Sequence, residues 1–263
     1  MPLPSTYAHY RFGVALLPQM PGDVRRTIQR FRRLFDAGLH GPDIFYYQIP
    51  VAGSGPRFLG IRYHEQTGRE FFQRCCRAAR LERSEALQAY LYGVLCHYCL
   101  DSHLHPLVSR SLSENGPSHQ RIEAEFDRFL LERDGKVPPC SQDLSPHLKL
   151  TPGEWETVAK CYPPATARTV RDSLQNMARL TKLMAAPEGA RRTLVGKSIS
   201  LLDRDLSEIM IPTTPDPRCA ALNEKLLAGY EAAAEAFPEM LSQLQAHMTY
   251  SASFEADFNV PFG

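Results

Sequence analysis

The stretch Ser84-Glu-Ala-Leu-Gln-Ala-Tyr-Leu-Tyr-Gly-Val-Leu-Cys-His-Tyr-Cys-Leu-Asp-Ser-His-Leu-His105-Pro106 repeats apolar residues every 3.6 positions among good helix formers. It predicts a helix over 84–104, closed by Pro106. Within it His97, Asp101 and His105 follow at intervals of four and share one side. Eight helical residues rise about 12 Å, too far for His97 and His105 to ligate one ion. Asp101, midway, reaches toward both. A carboxylate between two histidines suits a cluster of ions a few ångströms apart, of the kind that clamps a phosphoester. The competing reading is a satisfied polar patch between helices.

Downstream, after the breakers Asn115-Gly116-Pro117, a helix is predicted from about Ser118 through Ile122, Phe126, Phe129 and Leu130 to Gly135. It places His119 and Glu123 one turn apart, and both are ordinary zinc donors. Upstream, 68–81 reads as a helix. So does the run Val24, Ile28, Phe31, Leu34 and Phe35, with Asp23 as N-cap and Gly38 as stop. The Gly/Pro-rich aromatic segment 38–60, punctuated by Gly41-Pro42-Asp43 and Ala52-Gly53-Ser54-Gly55-Pro56, is expected to be loop. Residues 137–152 look irregular, and helices follow over about 152–161, 164–185, 190–210 and 218–247. Nothing alternates with period two. The expectation is an all-α, single-domain protein over 1–263, with its donors inside 9–123 and residues 150–250 completing the core.

A formal net charge of +1 over 263 residues supplies no basic field for tracking a polyphosphate, so a small phosphoester or lipid head group is a better partner than long nucleic acid. The first residues, Met1 to Tyr7, lack a basic and apolar leader, and no apolar run approaches the roughly 20 residues of a membrane span. A cytoplasmic protein is therefore expected. Seven cysteines, an odd number, fit free thiols, and Cys96-x2-Cys99 in mid-helix fits packing better than redox chemistry. The basic run Val24 to Arg33 reads as a solvated face, with an anionic membrane surface as the sharper alternative. His40 either touches the site or caps the helix before it. His103 points away from the Asp101 side, and His147 and His247 read as surface residues.

The order of these residues resembles the zinc-dependent phospholipase C family, related in fold to the single-strand-specific P1-type nucleases. The features that carry the resemblance are Thr6-Tyr-Ala-His9, Gly38-Leu-His-Gly-Pro-Asp43, His64, His97-x3-Asp101-x3-His105-Pro106 and His119-x3-Glu123. It implies two or three zinc ions: Asp43, His64, His97 and Asp101 on one, His105, His119 and Glu123 on a second, His9 and Asp101 on a third. It also implies Asp43 as the residue that orients or deprotonates water. The chain departs from the secreted enzymes in having no tryptophan before His9 and a shorter Asp101–His105 spacing. Phe45, Tyr46 and Tyr63 flank these donors and are expected either to line the substrate mouth or to pack the loop onto the helices. The activity implied is phosphodiester hydrolysis of phospholipase C type. The alternatives are a P1-type nuclease or 3′-nucleotidase, and a non-catalytic, metal-stabilised helical module.

Overall fold

A computed structural model describes residues 6–48, 57–112, 116–202 and 207–263. The described residues are helical with no strand; one isolated antiparallel bridge joins Thr67 to Pro261. The helices are α1 (Thr6–Leu16), α2 (Gly22–Arg30), α3 (Arg32–Gly38), α4 (Arg57–His64), α5 (Gly68–Glu82), α6 (Glu85–Ser111), α7 (His119–Arg133), α8 (Pro152–Ala159), α9 (Ala167–Met184), α10 (Ala190–Leu202) and α11 (Ala220–Tyr250). The protein is all-α. No described helix is long and apolar enough to cross a membrane.

α6 is the axis of the assembly. Its residues from Ala89 to Asp101 are buried without interruption, as expected of a helix covered on every side. α1, α2, α3, α5 and α11 all pack on it. The closest approach is to α3, where a β-carbon on Gly93 would stand 2.2 Å from the carbonyl oxygen of Phe35, and one on Gly38 would stand 2.3 Å from that of Tyr90. Two glycines facing each other let the backbones touch.

The structure corrects several sequence expectations. The run 24–38 is two helices, broken at Phe31 (φ −122°, ψ 41°), because α2 buries only Val24 and Ile28 while α3 turns to seat Gly38 on α6. Asp23 lies in the first turn of α2, with Pro21 in the cap position. α1 was hidden because its buried face includes His9 and Gly13, which carry no apolar signal.

The expected loop 38–60 contains a 3₁₀ segment, Gly41–Tyr47, and the start of α4; Ala52 to Pro56 lie outside the described residues. Pro106 does not close α6, which continues to Ser111. Leu104 and Leu107 pack so closely on α11 that a β-carbon at Gly229 would meet both at about 3 Å, and this contact holds the turn that lacks the proline N–H. Within the expected helix 190–210, Ala190–Leu202 is α10 and residues 207 and 208 are helical, while 203–206 lie outside the described residues.

Beyond α11, residues 251–263 form an ordered strap containing one 3₁₀ turn, Ala256–Asn259. Phe254, Phe258 and Phe262, spaced by four, are all buried in it.

Candidate metal centre

Five local structures deliver the donors. α6 carries His97, Asp101 and His105 on one side, and α7 carries His119 and Glu123. Ser118 caps α7 by accepting from the Arg121 amide at 3.2 Å, so the helix begins at His119 and both donors fall in its first turns. His9 comes from α1, whose first turn is fixed by Asp127 of α7: its carboxylate accepts from the amides of Tyr7 (2.9 Å) and Ala8 (2.8 Å). A carboxylate at a helix N-terminus is favourable both as acceptor and as counter-charge. His64 ends α4, and Asp43 sits in the 3₁₀ turn. That turn needs Gly41, whose φ is +44° and whose absent β-carbon would stand 2.7 Å from the His97 ring.

Asp101 is the hub. Its Oδ1 lies 3.2 Å from His9 Nε2 and 3.5 Å from His105 Nε2, and its Oδ2 lies 3.1 Å from His97 Nε2. Asp43 Oδ1 lies 2.8 Å from His64 Nε2, and Oδ2 lies 3.6 Å from His97 Nδ1. His119 Nε2 and Glu123 Oε1 are 3.0 Å apart. Three groups offer donor atoms that lie within 4.8 Å of one another: His9, Asp43 and His97; His64, His97 and Asp101; His105, His119 and Glu123. The first two are buried and the third is half-buried, so the cluster opens toward His105, His119 and Glu123.

The polar bookkeeping of this centre does not close by hydrogen bonding. His97 Nδ1 and Nε2, His9 Nδ1, Asp43 Oδ2 and Glu123 Oε2 are buried without a hydrogen-bond partner. His97 Nε2 approaches Asp101 closely, but off the hydrogen-bond direction. His64 Nδ1 donates to the Gly60 carbonyl at 2.7 Å, which leaves Nε2 directed at Asp43. Buried lone pairs facing one another are costly unless a cation lies among them. An imidazole- and carboxylate-rich donor set without thiolate fits zinc.

Burial raises the Asp101 carboxyl, but His97, His9 and His105 more than offset it and hold it well below the carboxylate range. Burial lowers His105, yet Asp101 pushes it up to about 9, and His9 is raised by the same carboxylate. Burial lowers His97 to about 4 despite Asp101 and Asp43. Burial thus prevails at His97, whereas the carboxylates, Asp101 first, prevail at His105.

Of the flanking aromatics, Phe45 packs edge-on to Tyr162, and Tyr63 does the same while its hydroxyl donates to the Pro163 carbonyl. Both are buried in the core, packed on Tyr162 just beyond α8. Tyr46 lies 5.0 Å from the His64 ring and is buried. Tyr47 instead lines a cavity of about 40 Å3 beside Glu123, walled by Leu144, Met184, Ile209 and Ile211.

His103 donates through Nδ1 to the Cys99 carbonyl at 2.8 Å and stays out of the donor groups. His247 is buried, bonded to the Ala252 carbonyl and stacked on Phe254, which corrects its surface assignment. Arg30, Arg32 and Arg33 of the basic run pair with Glu85, Asp36 and Glu154.

His147 is likewise not a free surface residue. Its Nε2 is 2.7 Å from His40 Nε2, and its ring stacks on Tyr10. Burial lowers His147 to about 4, and burial with the His147 neighbour holds His40 well below its usual value. Both are neutral when folded, so between pH 6.5 and 4 the unfolded chain takes up protons that the folded one refuses, and stability falls. His147→Gln keeps a hydrogen-bonding partner without the titration. Urea unfolding should show the wild type losing about 2 kcal/mol more than the variant between pH 7 and 4, after discounting for a half-buried ring.

Sequence reasoning did not find Asp127, the His40–His147 pair or the C-terminal strap. Only the strap left a signal, the four-residue spacing of its phenylalanines. A family model described as zinc-dependent phospholipase C matches residues 8–172, a span that contains all eight donors. No curated protein and no solved structure matches the chain.

Proposed function

The chain belongs to the zinc-dependent phospholipase C family, and on that premise we propose that it hydrolyses a phosphodiester by attack of water at phosphorus, with two or three zinc ions. The observation that carries the proposal is the convergence of buried, unpartnered nitrogen and oxygen atoms from His9, Asp43, His97 and Glu123. In this reading Asp43, His64, His97 and Asp101 hold one ion, His105, His119 and Glu123 a second, and His9 with Asp101 a third. When bound, the ions lower the pKa of water and offset charge developing on the phosphoryl and leaving oxygens.

The chain's own residues do the rest. Two divalent ions against the carboxylates of Asp43, Asp101 and Glu123 leave one positive charge, and three ions leave three, so the centre favours an anion. Asp43 accepts the proton side of the attacking water through Oδ2, the oxygen not facing His64, and so orients it toward phosphorus. Gly60 fixes the His64 ring, and Asp101 fixes three rings at once. Phe45 and Tyr63 face the core, so they offer no face on which a base would stack.

The test is elemental analysis of the purified protein together with turnover of phosphatidylcholine and of a soluble phosphodiester analogue. Two or three zincs per chain and turnover that disappears in His97→Ala support the proposal. A fully loaded protein that turns over neither substrate sinks it and leaves a metal-stabilised module.

A further inference from the structure

The strap beyond α11 lies outside the span matched by the family model, yet it ends on the metal centre. Phe262 is fully buried. Its ring lies 6.0 Å from the His97 ring centroid at a 30° tilt and 6.5 Å from that of His64. It also packs on Tyr98 (4.8 Å), Phe71 (5.2 Å) and Phe72 (6.3 Å). The Gly263 amide donates to the His64 carbonyl at 3.3 Å, and a β-carbon built on Gly263 would stand 2.9 Å from His105 Cε1.

This placement is locked from several sides. Arg69 donates through Nε to Asn259 Oδ1 (2.5 Å) and through Nη2 to the carbonyls of Phe254 (2.6 Å) and Glu255 (3.1 Å). The Tyr98 hydroxyl lies 2.8 Å from the Asp257 carbonyl and 3.0 Å from that of Val260. The Gly68 amide donates to Val260, and Thr67 bridges to Pro261. A packing segment alone would need only the phenylalanines. Here the backbone is clamped so that one ring backs two donors from different helices and the next residue walls a third.

We propose that Phe262 is a positioning residue of the metal centre: latched by Arg69, the strap holds the His64 and His97 rings in register and closes the flank of His105. The inference deepens the metal-centre reading and rests on it for the identity of the donors. The ring surfaces of His64 and His97 that face Phe262 are shielded by an apolar partner that cannot compete for an ion, so the rings keep their nitrogens directed at Asp43 and Asp101.

Three full-chain variants test it: Arg69→Gln, Phe262→Ala and Phe262→Leu, with Val158→Ala as a core-packing control remote from the strap. The first readout is carbethoxylation of histidines by diethyl pyrocarbonate in metal-free protein, followed site by site by mass spectrometry. His103, whose carbonyl faces α11, is the internal reference. Arg69→Gln and Phe262→Ala are expected to speed modification of His64 and His105 at least fivefold relative to His103, with Phe262→Leu restoring most of the protection and Val158→Ala changing nothing.

The second readout is zinc release to a chelating dye from the protein as purified, expected to accelerate in the same order. If Phe262→Ala does not fold, Arg69→Gln decides, since it removes only the latch. Unchanged His64 and His105 reactivity in folded Arg69→Gln, or equal acceleration in Val158→Ala, overturns the proposal. Wild-type protein without zinc would instead overturn the metal reading, and the carbethoxylation result would still stand.

Discussion

Asp101→Asn is expected to leave a folded protein that has lost at least one zinc per chain and at least about a hundredfold of its phosphodiesterase turnover. Removing a group that only supports a ligand typically costs ten- to a hundredfold in metal affinity or activity, and Asp101 does more than support. Its two oxygens face His9, His97 and His105, which belong to all three of the proposed ion positions. The amide is nearly isosteric, so the helix and its packing are kept while the charge is lost. That charge outweighs burial in keeping His105 and His9 protonatable, so in the variant both lose their partner. Elemental analysis and turnover of a soluble phosphodiester check the expectation. His105→Ala, by contrast, should empty only the half-buried group with His119 and Glu123. Full zinc content and activity in Asp101→Asn would refute the hub assignment.

Gly93→Ala carries the largest expected effect on stability. The new methyl would stand 2.2 Å from a backbone carbonyl oxygen of α3, and it would also meet Gly38 at 2.9 Å. No side chain can rotate out of the way, so the two helices must separate. The cost should reach at least about 3 kcal/mol, the upper end for overpacked cores. Urea unfolding measures it. The change also propagates, because α3 leads directly into the turn that presents Asp43. Zinc content should therefore fall along with stability, whereas a cavity-forming core substitution of equal cost away from the donors, such as Leu241→Ala on α11, which lies with Leu16, Met20 and Phe237, should leave it intact. Gly38→Ala breaks the same contact, and the two together should be less than additive.

How far the sequence revealed this molecule depended on what each signal required. α6 and α7 were legible because their periodicity is long and their donors fall on that period. The lone His9 and His64 could be placed only through the family's order of motifs, since neither position repeats locally. α1 was illegible because a histidine and a glycine hold core positions in it. The break at Phe31 and the continuation through Pro106 are tertiary decisions: a neighbouring helix makes worthwhile a geometry that local propensity disfavours. The strap's phenylalanines were visible, but nothing local says that a four-residue spacing in an irregular segment will end against donors far away in sequence. Phe45 and Tyr63, for which the sequence left open both the substrate mouth and the packing of the loop, are buried against Tyr162. Adjacency in the chain does not fix direction in a 3₁₀ turn or at the end of a helix.

All seven cysteines are buried and unpaired, and burial pushes the thiols of Cys76, Cys96, Cys99, Cys161 and Cys219 up. A buried thiol held protonated is a poor zinc ligand and a slow target for oxidants. The protein can therefore be prepared without dithiol reductants, which would themselves strip zinc. The ions counted in such a preparation would report the nitrogen and oxygen donors alone, and a soft cadmium or mercury probe added at neutral pH should find no competing sulfur until the chain unfolds.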